Sequence, residues 1–123
     1  MRFDEQRSIF LQIGDFVDEM ILRSEYPEGE RIPSVREMAA RMEVNPNTII
    51  RAYAQLQEQG VIYNQRGLGY FVADGARDAI LNSRREEFKR ETLPELFRAM
   101  TMLEIDFSEL ERLYADYHKG ADR

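Results

Sequence analysis

Residues 43–62 read EVNPNTIIRAYAQLQEQGVI. Asn45, Pro46, Asn47 and Thr48 stand together, and a regular helical pattern follows at once. Asn is a strong N-cap residue, and Pro suits the first helical position, where its missing N–H costs nothing, so a helix is predicted to start at Pro46. Ile49, Ala52, Tyr53 and Leu56 recur at helical spacing and form its buried side, and Gly60 is placed to stop it. Asn47, Thr48 and Arg51 fall on the outward side. Polar side chains at such an entrance can serve the cap alone or can face something outside, and the flanking sequence decides between the two.

Upstream, "PSVREMAARM" opens another helix. Ser34 is its N-cap and Glu37, three residues on, completes a capping box, with Met38, Ala39 and Met42 on the buried side. The link to Pro46 is short enough to force a sharp turn, which gives two helices in the layout of a helix-turn-helix. Further upstream Ile9, Phe10, Ile13, Phe16, Val17, Met20 and Ile21 mark one apolar stripe of a first helix. "YPEGERIP" ends that helix, with Pro27 setting a turn and Gly29 free to take positive φ. Downstream, "VIYNQRGLGYFV" reads as two short strands, Val61 to Gln65 and Tyr70 to Val72, around a glycine-rich tip at Arg66, Gly67, Leu68 and Gly69. That is a hairpin, or wing.

After Asp74 the character changes. "GARDAILNSRREEFKRE" is a charged helical stretch with a thin apolar line of Ala76, Ile80 and Phe88. Thr92 and Glu95, then Asp106 and Glu109, repeat the capping-box spacing ahead of two further apolar stripes. One runs through Leu93, Leu96, Phe97, Met100 and Leu103, the other through Phe107, Leu110, Leu113 or Tyr114, and Tyr117. Three tail helices are expected, the last two as a hairpin. The domain boundary is placed at Asp74 and Gly75, giving domains of residues 1–74 and 75–123.

The chain has 123 residues, no cysteine and one histidine, which excludes disulfides, iron–sulfur clusters and thiolate zinc sites. No cofactor or metal is expected. The charged start, and the lack of an apolar run near the roughly 20 residues of a membrane span, lead us to expect a soluble, cytoplasmic protein without a membrane partner. The net charge of −6 argues against a nucleic-acid partner, but the charge is unevenly spread. Residues 31–70 hold five arginines against three glutamates, a net charge of +2, and the acid lies in the flanks.

Chemistry of the acid–base or nucleophilic kind has little support. His118, near the chain end, suits a cation at a helix C-terminus better than a catalytic base. Tyr114 and Tyr117 read as a packing stripe before they read as a ligand pocket. An enzyme is not expected. A helix-turn-helix, by contrast, presents the first residues of its second helix to base edges in the major groove, where Asn can bond adenine and Thr can touch a thymine methyl or a phosphate. Arg36, in the first turn of the preceding helix, lies close to that entrance. Arg66 and Gly67 at the wing tip offer a charge without Cβ bulk beside it, suited to a minor groove or to phosphates.

"IFLQIGDFVDEMI", "YPEGERIPSVREMAARMEVNPNTIIRAY", "LQEQGVI" and "QRGLGYFV", in this order and spacing, resemble the DNA-binding domain of the GntR family of bacterial transcription regulators. The short helical tail and the "VNPNT" segment are similar to its YtrA-like branch. The resemblance implies a mostly α fold with a small β-hairpin: a winged helix-turn-helix DNA-binding domain followed by a short helical dimerisation tail. It also implies DNA-facing positions for Ser34, Arg36, Asn45, Asn47, Thr48, Arg51, Arg66 and Gly67. Pro46 and Ile50 depart from the family pattern by standing where arginines are frequent, so arginine readout is lost there and base preference cannot be carried over. The tail is too short to enclose the effector pocket of other branches. The expected function is a homodimeric transcription regulator, a repressor, on double-stranded DNA with an inverted-repeat operator. Branch resemblance adds transporter genes as targets. The alternative is a winged-helix module that binds protein and no DNA.

Overall fold

The computed structural model describes residues 2–121 and divides them into two compact units, one up to Ser83 and one from Arg84 onward. The first contains three helices, α1 (Ile9–Leu22), α2 (Val35–Met42) and α3 (Pro46–Glu58), then the strands β1 (Ile62–Gln65) and β2 (Gly69–Val72), and most of α4 (Ala76–Glu87). Helices α2 and α3 bury the stripes their spacing dictates, Met38, Ala39 and Met42 from the one and Ile49, Ala52, Tyr53 and Leu56 from the other. Of the α1 stripe Ile13, Val17 and Ile21 are buried, Phe10, Phe16 and Met20 are partly buried, and Ile9, in the first turn, is exposed. Val61, Ile62 and Val72 close the core from the hairpin, with Ile32 from the preceding loop. A fully buried side chain of this size contributes about 1.5–3 kcal/mol, so this apolar cluster is the main force holding α1, α2 and α3 together.

The helix ends follow the capping chemistry read from the sequence. The Ser34 hydroxyl accepts the Glu37 N–H at 3.1 Å while the Glu37 carboxylate accepts the Ser34 N–H at 3.2 Å, closing a capping box at the head of α2. Glu43 then takes a left-handed conformation (φ 55°, ψ 48°) that stops α2 and turns the chain toward Asn45. Asn45 caps α3 through its side-chain oxygen, which accepts the Asn47 N–H at 2.8 Å, and Pro46 occupies the first turn.

In the wing, β1 and β2 pair antiparallel with Ile62 opposite Val72 and Gln65 opposite Gly69. The Leu68 N–H bonds the Gln65 carbonyl at 2.9 Å, and Gly67, at the third place of that turn, has φ +81°. A third segment joins the sheet. The Gly29 and Ile32 N–H groups donate to the Val72 and Tyr70 carbonyls, and the Val72 N–H donates to the Glu30 carbonyl, so residues 29–32 cover the free edge of β2.

The first unit runs past the Asp74–Gly75 junction because the start of α4 belongs to its core. Ala76 and Ile80 are buried there, and Arg77 donates to the Leu22 carbonyl and, through its backbone, to the Glu28 carboxylate, both at 3.2 Å.

The second unit is helical: a π-helical turn at Phe88–Thr92, α5 (Leu93–Leu103) and α6 (Phe107–Ala121). The N-cap expected at Thr92 does not form. Thr92 has helical dihedrals (φ −80°, ψ −43°), its side chain makes no capping bond, and the Leu93 N–H reaches back to the Phe88 carbonyl. The physical reason lies in Pro94: a proline ring collides with the carbonyl four residues back in an α-turn, and a widened turn ahead of it relieves that clash. Asp106 does cap α6, its carboxylate accepting the Glu109 N–H at 2.9 Å.

The expected hairpin of α5 and α6 differs as well. Neither helix buries a residue, and Phe97, Met102, Leu103, Phe107, Tyr114 and Tyr117 are all more than half exposed. An apolar stripe dictates that a face will be covered, not that the neighbouring helix covers it. Among the described residues no helix is long and apolar enough to cross a membrane.

Gly69 and Gly67 separate two costs of adding a side chain to the wing. A Cβ on Gly69 would stand 2.9 Å from the Arg31 Nε at φ +113°, whereas one on Gly67, at φ +81°, would meet nothing within 4 Å. Gly67→Ala should therefore cost about 1 kcal/mol of backbone strain, and Gly69→Ala more, on the order of 2–3 kcal/mol as the Arg31 side chain is displaced too, both measured by urea denaturation.

Candidate nucleic-acid interface

Two contacts fix which way α3 faces. On one flank Tyr53, fully buried, donates its hydroxyl to the Pro33 carbonyl at 2.7 Å and meets Tyr70 of β2 edge-on with ring centroids 4.9 Å apart. Burial pushes the Tyr53 phenol well above its ordinary value, so it remains a donor throughout the working pH range. On the other flank the Arg51 guanidinium lies over the Phe10 ring of α1, 4.0 Å from its centroid. Between these borders the helix is exposed at Pro46, Asn47, Ile50, Arg51 and Ala54, with Thr48 half-buried.

The candidate residues fall into three places. Asn45, Asn47, Thr48 and Arg51 share the first turns of α3. Asn45 spends its side-chain oxygen on the cap, so what it can offer a ligand is its NH2 group. Ser34 and Arg36 sit at the head of α2. The Ser34 hydroxyl accepts within the capping box, which leaves its O–H to donate outward, and Arg36 is exposed. Arg66 and Gly67 form the exposed tip of the wing. The Tyr53 hydrogen bond to Pro33 and its ring contact with Tyr70 link the elements that carry these three groups, so helix entrance, α2 head and wing base are held as one frame.

Three features escape a reading of the sequence. Ser8, Ile9 and Phe10 at the start of α1, with Asn47, Thr48 and Arg51, line an open groove of about 320 Å³. The residues before α1 are tied beside it by Gln12, which accepts the Asp4 N–H and donates to the Asp4 and Arg7 carbonyls, and by the Arg7–Asp15 ion pair. Phe10 belongs to the apolar stripe of α1, and nothing in the spacing signals that it also carries an arginine. Arg31 is the third feature: it pairs with Glu37 at 3.5 Å and lies against Gly69, so it bridges the wing and the capping box. Its only trace in the sequence is its share of the local positive charge.

The Glu37 carboxyl is held below its ordinary value of 4.5, chiefly by the Ser34 backbone N–H, then by the Ser34 side chain, with Arg31 and Arg41 adding their charge. A groove lined at the start of α3 by the Asn47 amide, Thr48 and the exposed Arg51 is equipped to hold phosphates and base edges.

The comparisons point the same way. Residues 10–72 match the model of bacterial regulatory proteins of the gntR family. The chain is 35% identical over 109 residues to the HTH-type transcriptional regulator YhcF of Bacillus subtilis, covering 89% of this chain and 88% of that protein. It is 31% identical over 83 residues to the HTH-type transcriptional repressor YtrA of the same organism, covering 68% of this chain and 64% of that protein. Among solved structures, a GntR-family transcriptional regulator from Bacteroides thetaiotaomicron superposes with a TM-score of 0.81 at 43% identity, over 93% of this chain and 99% of that one.

Since the folded Glu37 carboxyl titrates below its unfolded counterpart, its contribution to stability is present above the unfolded value and is lost as pH falls through the folded one. Glu37→Gln keeps an oxygen to accept the Ser34 N–H but cannot titrate. Its urea midpoint should therefore fall less on acidification than that of the unaltered protein, and parallel pH profiles for the two would contradict the assignment.

Proposed function

The chain belongs to the gntR family of bacterial regulatory proteins, which are DNA-binding transcription regulators rather than enzymes, and from that premise we propose that it is a homodimeric repressor acting on an inverted-repeat operator. The observation that carries the proposal is the exposed entrance of α3, where Asn47 and Arg51 face outward between two fixed borders. In this reading α3 lies in the major groove. Asn45, Asn47 and Thr48 address base edges, Ser34, Arg36 and Arg51 hold backbone phosphates, and Arg66 with Gly67 brings the wing against the adjoining minor groove or its phosphates. Residues 1–74 would then be the DNA-binding domain and residues 75–123 the dimerisation domain.

Dimerisation is supported by α5 and α6, whose large apolar side chains are exposed within one chain. An isolated monomer rarely leaves so much apolar surface in water, and pairing around a two-fold axis would cover it. Such symmetry places two half-sites about 34–36 Å apart, or at a multiple of that distance. Repression is supported by similarity to YtrA, a transcriptional repressor. A cytoplasmic location accords with a regulator of transcription. Control of transporter genes rests on the branch resemblance alone.

Selection of duplexes from a random pool at about 150 mM salt tests the proposal, because weak non-specific phosphate binding is suppressed there. An inverted repeat should be enriched; no enrichment would favour a protein partner for α3. On the enriched site Arg36→Ala should weaken binding to all sequences and reduce the salt slope by about two, one for each subunit, whereas Asn47→Ala should relax preference at one base pair in each half-site, worth about 1–3 kcal/mol apiece. Light scattering at micromolar concentration should give twice the chain mass, and a monomer mass would remove the dimer from the proposal.

A further inference from the structure

The outward face of α3 carries two parallel lines of side chains. Asn47 and Arg51, four residues apart, form a hydrogen-bonding line, and beside it Pro46, Ile50 and Ala54 form an apolar one. All three residues of the apolar line are exposed, and Ile50, the largest of them, is 50% exposed. At 1.5 Å per residue the line is about 12 Å long, close to the width of a major groove. The core does not need it, because the buried side of α3 is already supplied by Ile49, Ala52, Tyr53 and Leu56.

An isoleucine offers neither a donor to a phosphate nor a hydrogen bond to a base edge. The one apolar group that a major groove presents is the C5-methyl of thymine. The surroundings favour DNA over an apolar protein partner: Arg36, Arg41, Arg51 and Arg66 are exposed on the same unit, and Asn47 stands next to Ile50 on the helix. We propose that Ile50 is a specificity-determining residue that reads a thymine methyl in each half-site, with Pro46 and Ala54 keeping the strip around it apolar. This rests on the DNA-binding function proposed above. It makes thymine recognition at this place a matter of apolar contact rather than of a hydrogen bond.

The test compares the enriched duplex with the same duplex synthesised with deoxyuridine in place of thymine, one position per half-site at a time, using the full chain. Deoxyuridine pairs as thymine does and lacks only the methyl group. Loss of one methyl contact should weaken binding by about fourfold per half-site at one position. Ile50→Ala should bind both duplexes alike, and Ile50→Val should retain part of the difference. As an exposed residue, Ile50 can be truncated with its thermal midpoint nearly unchanged, which shows that the variants are folded.

Indifference of the unaltered protein to deoxyuridine at every thymine of an enriched site would overturn the inference and leave the DNA-binding function standing. An equal penalty in the unaltered protein and in Ile50→Ala would also overturn it, by assigning the methyl to another side chain. If no duplex is enriched, the DNA-binding proposal falls and the thymine contact falls with it.

Discussion

The arrangement of the first unit depends on one buried hydroxyl. Tyr53 lies in the middle of the apolar side of α3, and its O–H has to find an acceptor or lose the hydrogen bonds it makes in water. It finds the Pro33 carbonyl, directly before the residue that caps α2. The same ring packs on Tyr70, so one side chain ties α3 to the head of α2 and to the base of the wing. The outward face of α3 follows from this, since the flank that carries Tyr53 can no longer turn to solvent. Phe10 closes the other flank by placing its ring beneath Arg51. Burial therefore sets orientation as well as stability.

Much of this frame is legible in the chain itself because the signals are local. Ser34 with Glu37, and Asn45 with Pro46, announce helix starts through bonds spanning two or three residues, and the structure forms them. The buried sides of α2 and α3 follow their spacing residue by residue. What is not legible depends on long-range pairing or on a conflict between rules. Residues 29–32 are too few to show a strand period, yet they pair with β2 because its edge N–H and C=O groups need partners. At Thr92 the capping-box spacing competes with the demands of Pro94, and a widened helical turn results. The site shows the same limit: outward positions on α3 can be read from spacing, but the Phe10–Arg51 and Arg31–Glu37 contacts join residues that no short-range pattern relates.

Charge illustrates why totals mislead. The chain is acidic overall at −6, yet Arg31, Arg36, Arg41, Arg51 and Arg66 outnumber the glutamates between residues 31 and 70. Glu37, one of those glutamates, is occupied by the Ser34 N–H and by Arg31. Its charge is thereby partly neutralised at the head of α2. Acid elsewhere, screened over about 8 Å at physiological salt, has little reach into that face.

The acceptor that anchors Tyr53 is a main-chain carbonyl. A proline at that position keeps its carbonyl whatever side chains follow it, so exchange of residues at the head of α2 or on the outward face of α3 leaves the anchor in place. The frame is in this sense indifferent to what it displays. A lineage can rewrite the exposed positions while the junction beneath them persists, which makes this surface a substrate for divergence and a convenient chassis for engineered recognition.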